Sequence, residues 1–155
     1  MRDTSPESLQ LVSVPDLIVI LPVYNEEEII AEVAAEWLDV LDGMAVPYRL
    51  QLCNDGSTDG TPDVLDGLSH RSLEIHHTRN RGHGPTILRA YRSAAERAAW
   101  VFQCDSDGQI PAAAFPEFWK KRLSSDLVIG TRIHRQDGRI RNVISACLRF
   151  ATLCL

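Results

Sequence analysis

Two carboxylates one residue apart, Asp105 and Asp107, stand at the end of the stretch Trp100-Val-Phe-Gln-Cys-Asp-Ser-Asp-Gly-Gln-Ile-Pro111. The apolar run Trp100 to Cys104 predicts a buried strand. Residues i and i+2 of an extended chain point the same way, so both acids can present oxygens to one point. Two close carboxylates repel unless a cation or a proton lies between them. Hard divalent ions such as Mg²⁺ or Mn²⁺ prefer oxygen ligands and often bridge to a substrate phosphate. An Asp-Gly turn with solvated acids accounts for the same residues, and the spacing alone leaves both readings open.

Three other loops carry chemistry of the same kind. Asp55 follows a predicted strand and is set among Gly, Ser and Thr. A carboxylate there can accept hydrogen bonds from the N–H groups of a base or from ribose hydroxyls, although Asn, Asp and Gly also make turns for their own reasons. Asp55, Ser57, Asp59, Gly60 and Asp66 fall at the spacing of an EF-hand calcium loop. That loop needs a helix before it, whereas Tyr48 to Cys53 reads as strand and Pro62 interrupts it, which disfavours calcium. Arg79-Asn-Arg-Gly-His-Gly84 is glycine-rich and opens a helix, where bare N–H groups favour anions. It does not match G-x-G-x-x-G, and it follows the third strand, so a Rossmann dinucleotide site is disfavoured. His83 is a lone histidine, read as solvent-facing or structural, and His76 and His77 show no partner in sequence. Arg132 and Arg135 can clamp phosphate oxygens in a fork geometry, or stand solvated on a surface loop.

These residues act together only if the fold gathers them. Asp16 to Pro22 predicts a first buried strand, rich in branched apolar residues. Asn25 then reads as a helix N-cap with Glu28 completing a capping box. Ile29, Ile30, Val33, Ala34, Trp37, Leu38 and Leu41 give that helix an apolar face, and Asp42-Gly43 stops it. Further strands are expected at Tyr48 to Cys53, Leu73 to His77, Trp100 to Cys104 and Asp126 to Gly130. Helices are expected at Pro62 to Leu68, from Pro85 onward, at Phe115 to Leu123 and at Ile140 to Leu155. The helix after Pro85 draws its buried side from Ile87, Leu88, Tyr91, Ala94, Ala95 and Ala98. Alternating strands and helices imply an α/β fold, a parallel sheet covered on both faces. In such sheets ligands bind beyond the carboxyl ends of the strands, and every loop named above falls on that edge.

Composition bounds the rest. The chain has 155 residues, 45% of them hydrophobic and 24% charged, as in an ordinary soluble globule. The net charge of −5 argues against general nucleic-acid binding. A local basic patch, Arg132 to Arg149, is either a solvated face or a contact for phosphates or lipid headgroups. Cys53, Cys104, Cys147 and Cys154 show no C-x-x-C spacing and read as reduced thiols in a cytosolic setting. Met1 to Pro15 reads as a flexible arm before a single domain from residue 16 to 155, cut short at its C-terminus. No run reaches the length of a membrane span, but the apolar stretch Val143 to Leu155 suits contact with a membrane or a partner.

Four stretches, in order, resemble the family 2 glycosyltransferases with their GT-A fold. They are Leu21-Pro-Val-Tyr-Asn-Glu-Glu27, Asn54-Asp-Gly-Ser-Thr-Asp-Gly-Thr61, Asn80-x-Gly82-x-Gly84 and Asp105-Ser-Asp-Gly-Gln109. With Gly130-Thr-Arg132 and Arg135 downstream, the chain is most similar to the branch that loads sugars onto polyprenyl phosphates, as dolichol-phosphate mannosyltransferases do. The resemblance implies that Pro22, Tyr24 and Glu26 line the nucleotide pocket and that Asp55 binds the base. It implies that Gly82 and Gly84 let the backbone approach the substrate. Asp105, Asp107 and Gln109 would hold Mg²⁺ or Mn²⁺ on a GDP- or UDP-linked sugar, and Arg132 and Arg135 would meet the acceptor or nucleotide phosphates. The implied reaction is inverting transfer of a hexosyl group to a polyprenyl phosphate, at the inner face of the membrane. The alternatives are transfer to a saccharide hydroxyl in cell-envelope synthesis, or a non-catalytic module that binds nucleotide sugar or a partner. The Q-x-x-R-W motif of processive polysaccharide synthases is absent from this sequence.

Overall fold

A computed structural model describes residues 14–130. The arm to residue 13, the polar loop from Thr131, Arg132, Arg135, the last helix and the outer two cysteines lie outside the described residues. The chain divides into two compact units, Met1–Glu117 and Phe118–Leu155, with the boundary inside one helix.

The first unit is built on four parallel strands, β1 (Leu17–Val23), β2 (Tyr48–Asn54), β3 (Leu73–His77) and β4 (Trp100–Gln103). Their order in the sheet is β3-β2-β1-β4. β1 is buried along its whole length, and β2 at all but Arg49. The polar and apolar residues that alternate along β2 therefore do not alternate in exposure, because a central strand is covered on both faces. β4 is only half-buried, against the expectation of a buried strand, because it stands at an edge of the described sheet.

Helices α1 (Ile30–Asp42), α2 (Thr61–Asp66) and α3 (His83–Ala95) connect the strands. A 3₁₀ turn at Ala112–Ala114 leads into α4 (Phe115–Lys121). On one face Trp37 of α1 meets Phe102 and Phe115, with ring centroids 5.8 Å apart in each case. On the other face Ile18, Ile20 and Cys53 pack against Ala90 and Ala94 of α3. The buried side of α3 is thus Thr86, Ala90 and Ala94. Leu88 and Tyr91, expected inside, are 51% and 39% exposed, and Ala95 is exposed as well. Small residues let the helix approach the sheet closely, and this rotation turns the larger apolar groups outward.

Two further expectations give way. Asn25 does not cap α1, which begins at Ile30 with Ile29 before it and without a side-chain cap. Asn25 sits at φ 55° and its side-chain oxygen accepts the Thr58 N–H at 2.8 Å, so a loop 33 residues away has taken the cap oxygen. The chain instead turns through Glu26, whose carbonyl accepts the Ile29 and Ile30 N–H groups. In the second unit, Asp126 to Gly130 forms no strand among the described residues. Leu127 and Ile129 stay 75% and 76% exposed. A short apolar run becomes a strand only where a ladder partner exists, and none pairs with it among the described residues.

Candidate nucleotide-sugar site

The carboxyl ends of β1, β2 and β4 open on one cleft of about 390 Å³. Pro22, Tyr24, Glu26, Asp55, Gly82, Asp105 and Asp107 line it. Seven of the sequence-derived site residues are therefore brought together, while Gly84 and Gln109 are not among its lining residues.

The local chemistry of each loop explains its shape. Asp107 accepts the Gln109 N–H at 3.0 Å while Gly108 takes φ 68°, an Asx-type turn that re-aims the chain after β4. Between the two acids, Ser106 is buried and donates its hydroxyl to the Pro22 carbonyl at 2.6 Å, pinning the Asp105–Asp107 turn to the end of β1. Asp105 accepts from the Gln103 amide at 3.2 Å and lies 3.9 Å from His83 Nε2.

Asp55 is buried, and its carboxylate ties two loops together. It accepts the Arg81 and Gly82 N–H groups at 3.0 and 2.8 Å and the Thr86 hydroxyl at 2.6 Å. A carboxylate offers about four acceptor positions, so one remains on a residue that lines the cleft. Gly82 at φ 88° is what lets the loop turn its N–H to that acid. Gly56, at φ 69°, is needed for a second reason. A β-carbon there would lie 2.5 Å from the Asn80 nitrogen, so the Asp55 and Asn80 loops touch backbone to backbone. The EF-hand spacing does not close on a cation: Asp55 faces the Arg81–Thr86 segment, and Asp66 in α2 meets His77.

Glu26 is the outlier. Its backbone N–H donates to the Thr61 hydroxyl at 2.8 Å, which draws the residue inward. Its Oε2 is buried and has no hydrogen-bond partner among the described residues. Burial pushes its pKa above the ordinary carboxylate value; the charges of Asp107, Asp105 and Asp59 push the same way, and the Ser106 hydroxyl opposes them. Leaving a buried acceptor unmade costs about 1–3 kcal/mol, and such groups mark places where a missing partner belongs.

Among the described residues, no three His, Cys, Asp or Glu side chains stand close enough to hold a metal ion alone. Mg²⁺ is usually held by one or two carboxylates together with substrate phosphates and water. Asp105 and Asp107, with the orphaned Glu26 oxygen in the same cleft, are an all-oxygen set of that kind. Sequence reasoning missed Thr86 and gave Ser106 and Asn80 no role of their own within the stretches it singled out; these uncharged residues show theirs through tertiary contacts. It also set aside His83, which lines the cleft.

A model of the glycosyl transferase family 2 matches residues 18–148. The chain belongs to that family. It is 29% identical over 128 residues to the undecaprenyl-phosphate 4-deoxy-4-formamido-L-arabinose transferase of Shewanella sediminis, covering 79% of this chain and 38% of the relative. The protein of the same name from Serratia proteamaculans is 27% identical over 132 residues, covering 82% and 40%. A solved mannosyltransferase from Pyrobaculum calidifontis, in complex with GDP-Man and Mn²⁺, is similar with a TM-score of 0.50 at 26% identity, over 76% of this chain and 34% of that one. The family 2 chain thus spans about two fifths of the curated relatives it matches. Its parallel sheet with helices on both faces is the GT-A architecture. Among the described residues no helix is long and apolar enough to cross a membrane.

Proposed function

We propose that the cleft binds a nucleotide-diphosphate sugar through a divalent cation and that the protein transfers the sugar to a polyprenyl phosphate with inversion. The observation that carries this reading is the buried, unpartnered Glu26 oxygen beside Asp105 and Asp107 in one cleft. Three acids gathered in one cleft, with only His83 near them among the described residues, are a binding surface for a cation or for hydroxyl and N–H donors. The names of the relatives support the polyprenyl acceptor, and the Mn²⁺ and GDP-Man of the solved neighbour support the donor class.

In this reading Asp105 and Asp107, with Gln109 beside them, would hold Mg²⁺ or Mn²⁺, and the ion would neutralise charge on the diphosphate leaving group. Pro22, Tyr24 and Glu26 receive the nucleoside, with Glu26 accepting from its hydroxyls, and Asp55 offers its last acceptor position to the base. Gly82 and Gly84 leave room for the diphosphate beside the start of α3. Arg132 and Arg135, outside the described residues, position the acceptor. A phosphate acceptor is already ionised near neutral pH, so it needs cationic positioning rather than a general base. The anomeric C–O bond to the diphosphate breaks as a C–O bond to the acceptor phosphate forms. In this reading the protein works at a membrane surface, on its cytosolic side.

A thermal-shift panel of UDP, GDP and their sugars, with and without Mn²⁺, tests the reading. A ligand at a hundred times its Kd adds about 2.7 kcal/mol of stability. The expected result is a shift for one nucleotide that grows with Mn²⁺ and is lost in Asp107→Asn. No shift from a folded sample overturns donor binding. Product formed from donor and lipid acceptor separates a transferase from a silent binding module.

A further inference from the structure

A second cleft, of about 430 Å³, lies further along α3, against β2 and β3. We propose that this cleft is a binding site for a phosphomonoester with a small organic body. Its size is in the range of small-molecule sites and far exceeds that of a bare phosphate.

Its charge comes from Arg89, exposed on α3 and free of ion pairs and hydrogen bonds among the described residues. A guanidinium presents a planar fork that matches phosphate oxygens. Ser93 stands one helical turn further on, so its hydroxyl joins the same side of α3. His76 lines the cleft from β3, with its Nε2 3.7 Å from Glu74.

The acid on this side of β3 does not oppose an anion. Glu74 is taken by Arg97 through both guanidinium arms, by the Gln51 amide at 2.9 Å and by Arg49 at 3.5 Å. The His77 ring is also committed. The Asn54 amide nitrogen donates to its Nδ1 at 3.0 Å, which leaves Nε2 to donate to Asp66 at 3.1 Å. Ala90 and Cys53 supply an apolar floor for the organic body. Burial pushes the Cys53 thiol up to about 11, so the floor carries no charge at neutral pH. This site and the nucleotide cleft share a helix and no lining residue.

The test uses the full chain and phenyl phosphate as the probe, with inorganic phosphate and phenol as its two halves. Amide and Arg89 Nε–H shifts are followed by ¹⁵N–¹H NMR. Phenyl phosphate is expected to move Ala90, Ser93 and Arg89 signals saturably, and more tightly than either half. Arg89→Gln, at an exposed position, is expected to weaken binding about tenfold or more with an unchanged unfolding midpoint. Ser93→Asp, which adds a repelling charge, is expected to do the same. Asp107→Asn is expected to leave this binding intact while abolishing the Mn²⁺-dependent nucleotide response, so the two sites fail separately. The proposal is overturned if no signal saturates, if inorganic phosphate binds as tightly, if Arg89→Gln binds normally, or if the shifts map to the Asp105–Asp107 turn.

Discussion

Glu26 and Asp42 are acids at opposite ends of the sheet, and they are treated in opposite ways. At the carboxyl ends of the strands, Glu26 keeps a buried oxygen unpartnered among other acids, and its pKa is raised. At the amino ends, Asp42 accepts the Tyr48 hydroxyl at 2.5 Å and lies 3.2 Å from His70 Nε2, and its pKa is lowered, chiefly by the Tyr48 hydrogen bond. His70 Nδ1 in turn accepts the Ser72 N–H at 3.2 Å, so Nε2 carries the proton that faces Asp42. Tyr48 itself is pushed up to about 12, first by burial and then by that acid. One end spends its polar groups on itself and closes the fold. The other ties down Asp55 and Ser106 but withholds Glu26 Oε2, and a withheld acceptor is available to a ligand.

The largest expected effect falls on the acid that links the two roles. Asp55→Ala leaves two N–H groups and a hydroxyl without their acceptor. The expected loss is about 2–4 kcal/mol in urea unfolding, together with loss of nucleotide binding. A variant as stable as the parent would show that the Asp55 acceptor network does not hold the loops. Gly56→Ala follows, because it combines a left-handed φ with a backbone overlap at Asn80. About 1–3 kcal/mol should be lost, and calorimetry would read it.

At the closed end, Tyr48→Phe should cost about 1 kcal/mol, since Asp42 is 41% exposed and water screens the pair. The pH dependence identifies the cause. With a folded pKa below 3.8, Asp42 adds stability that is present above that value and lost as pH falls through the folded pKa. The acid limb of the stability curve should therefore flatten in the variant. Glu26→Gln should give the smallest change and the opposite sign. A folded pKa above 4.5 means that ionising Glu26 costs stability as pH rises from that value. The variant should gain about a few tenths of a kcal/mol at neutral pH while its nucleotide affinity drops. Loss of stability in Glu26→Gln would erase the contrast between the two ends.

Periodicity and loop chemistry were legible wherever one element decides its own conformation. β1, β3 and the stop of α1 at Gly43 lie where the residue pattern put them. The four family stretches do gather at the carboxyl edge, because alternating strands and helices leave few topologies. Where two distant segments compete for one group, the sequence was silent. Asn25 is a good cap by type, yet Thr58 claims its oxygen. His76 and His77 looked alike, yet Asn54 and Asp66 hold the second ring while the first lies 3.7 Å from Glu74 at the edge of a cleft. The face of α3 turned on Thr86 reaching Asp55 and on small residues meeting the sheet, which hydrophobicity alone ranks below Leu88 and Tyr91.

The sequence by itself determined the family, the parallel α/β plan and the acids of the carboxyl edge, because side-chain type and spacing along the chain carry that information. Tertiary structure alone decided which acid is orphaned, which is saturated, and that Arg89 overlooks a second cleft. Those outcomes depend on which distant groups come within hydrogen-bonding reach, and only the packed sheet sets those distances.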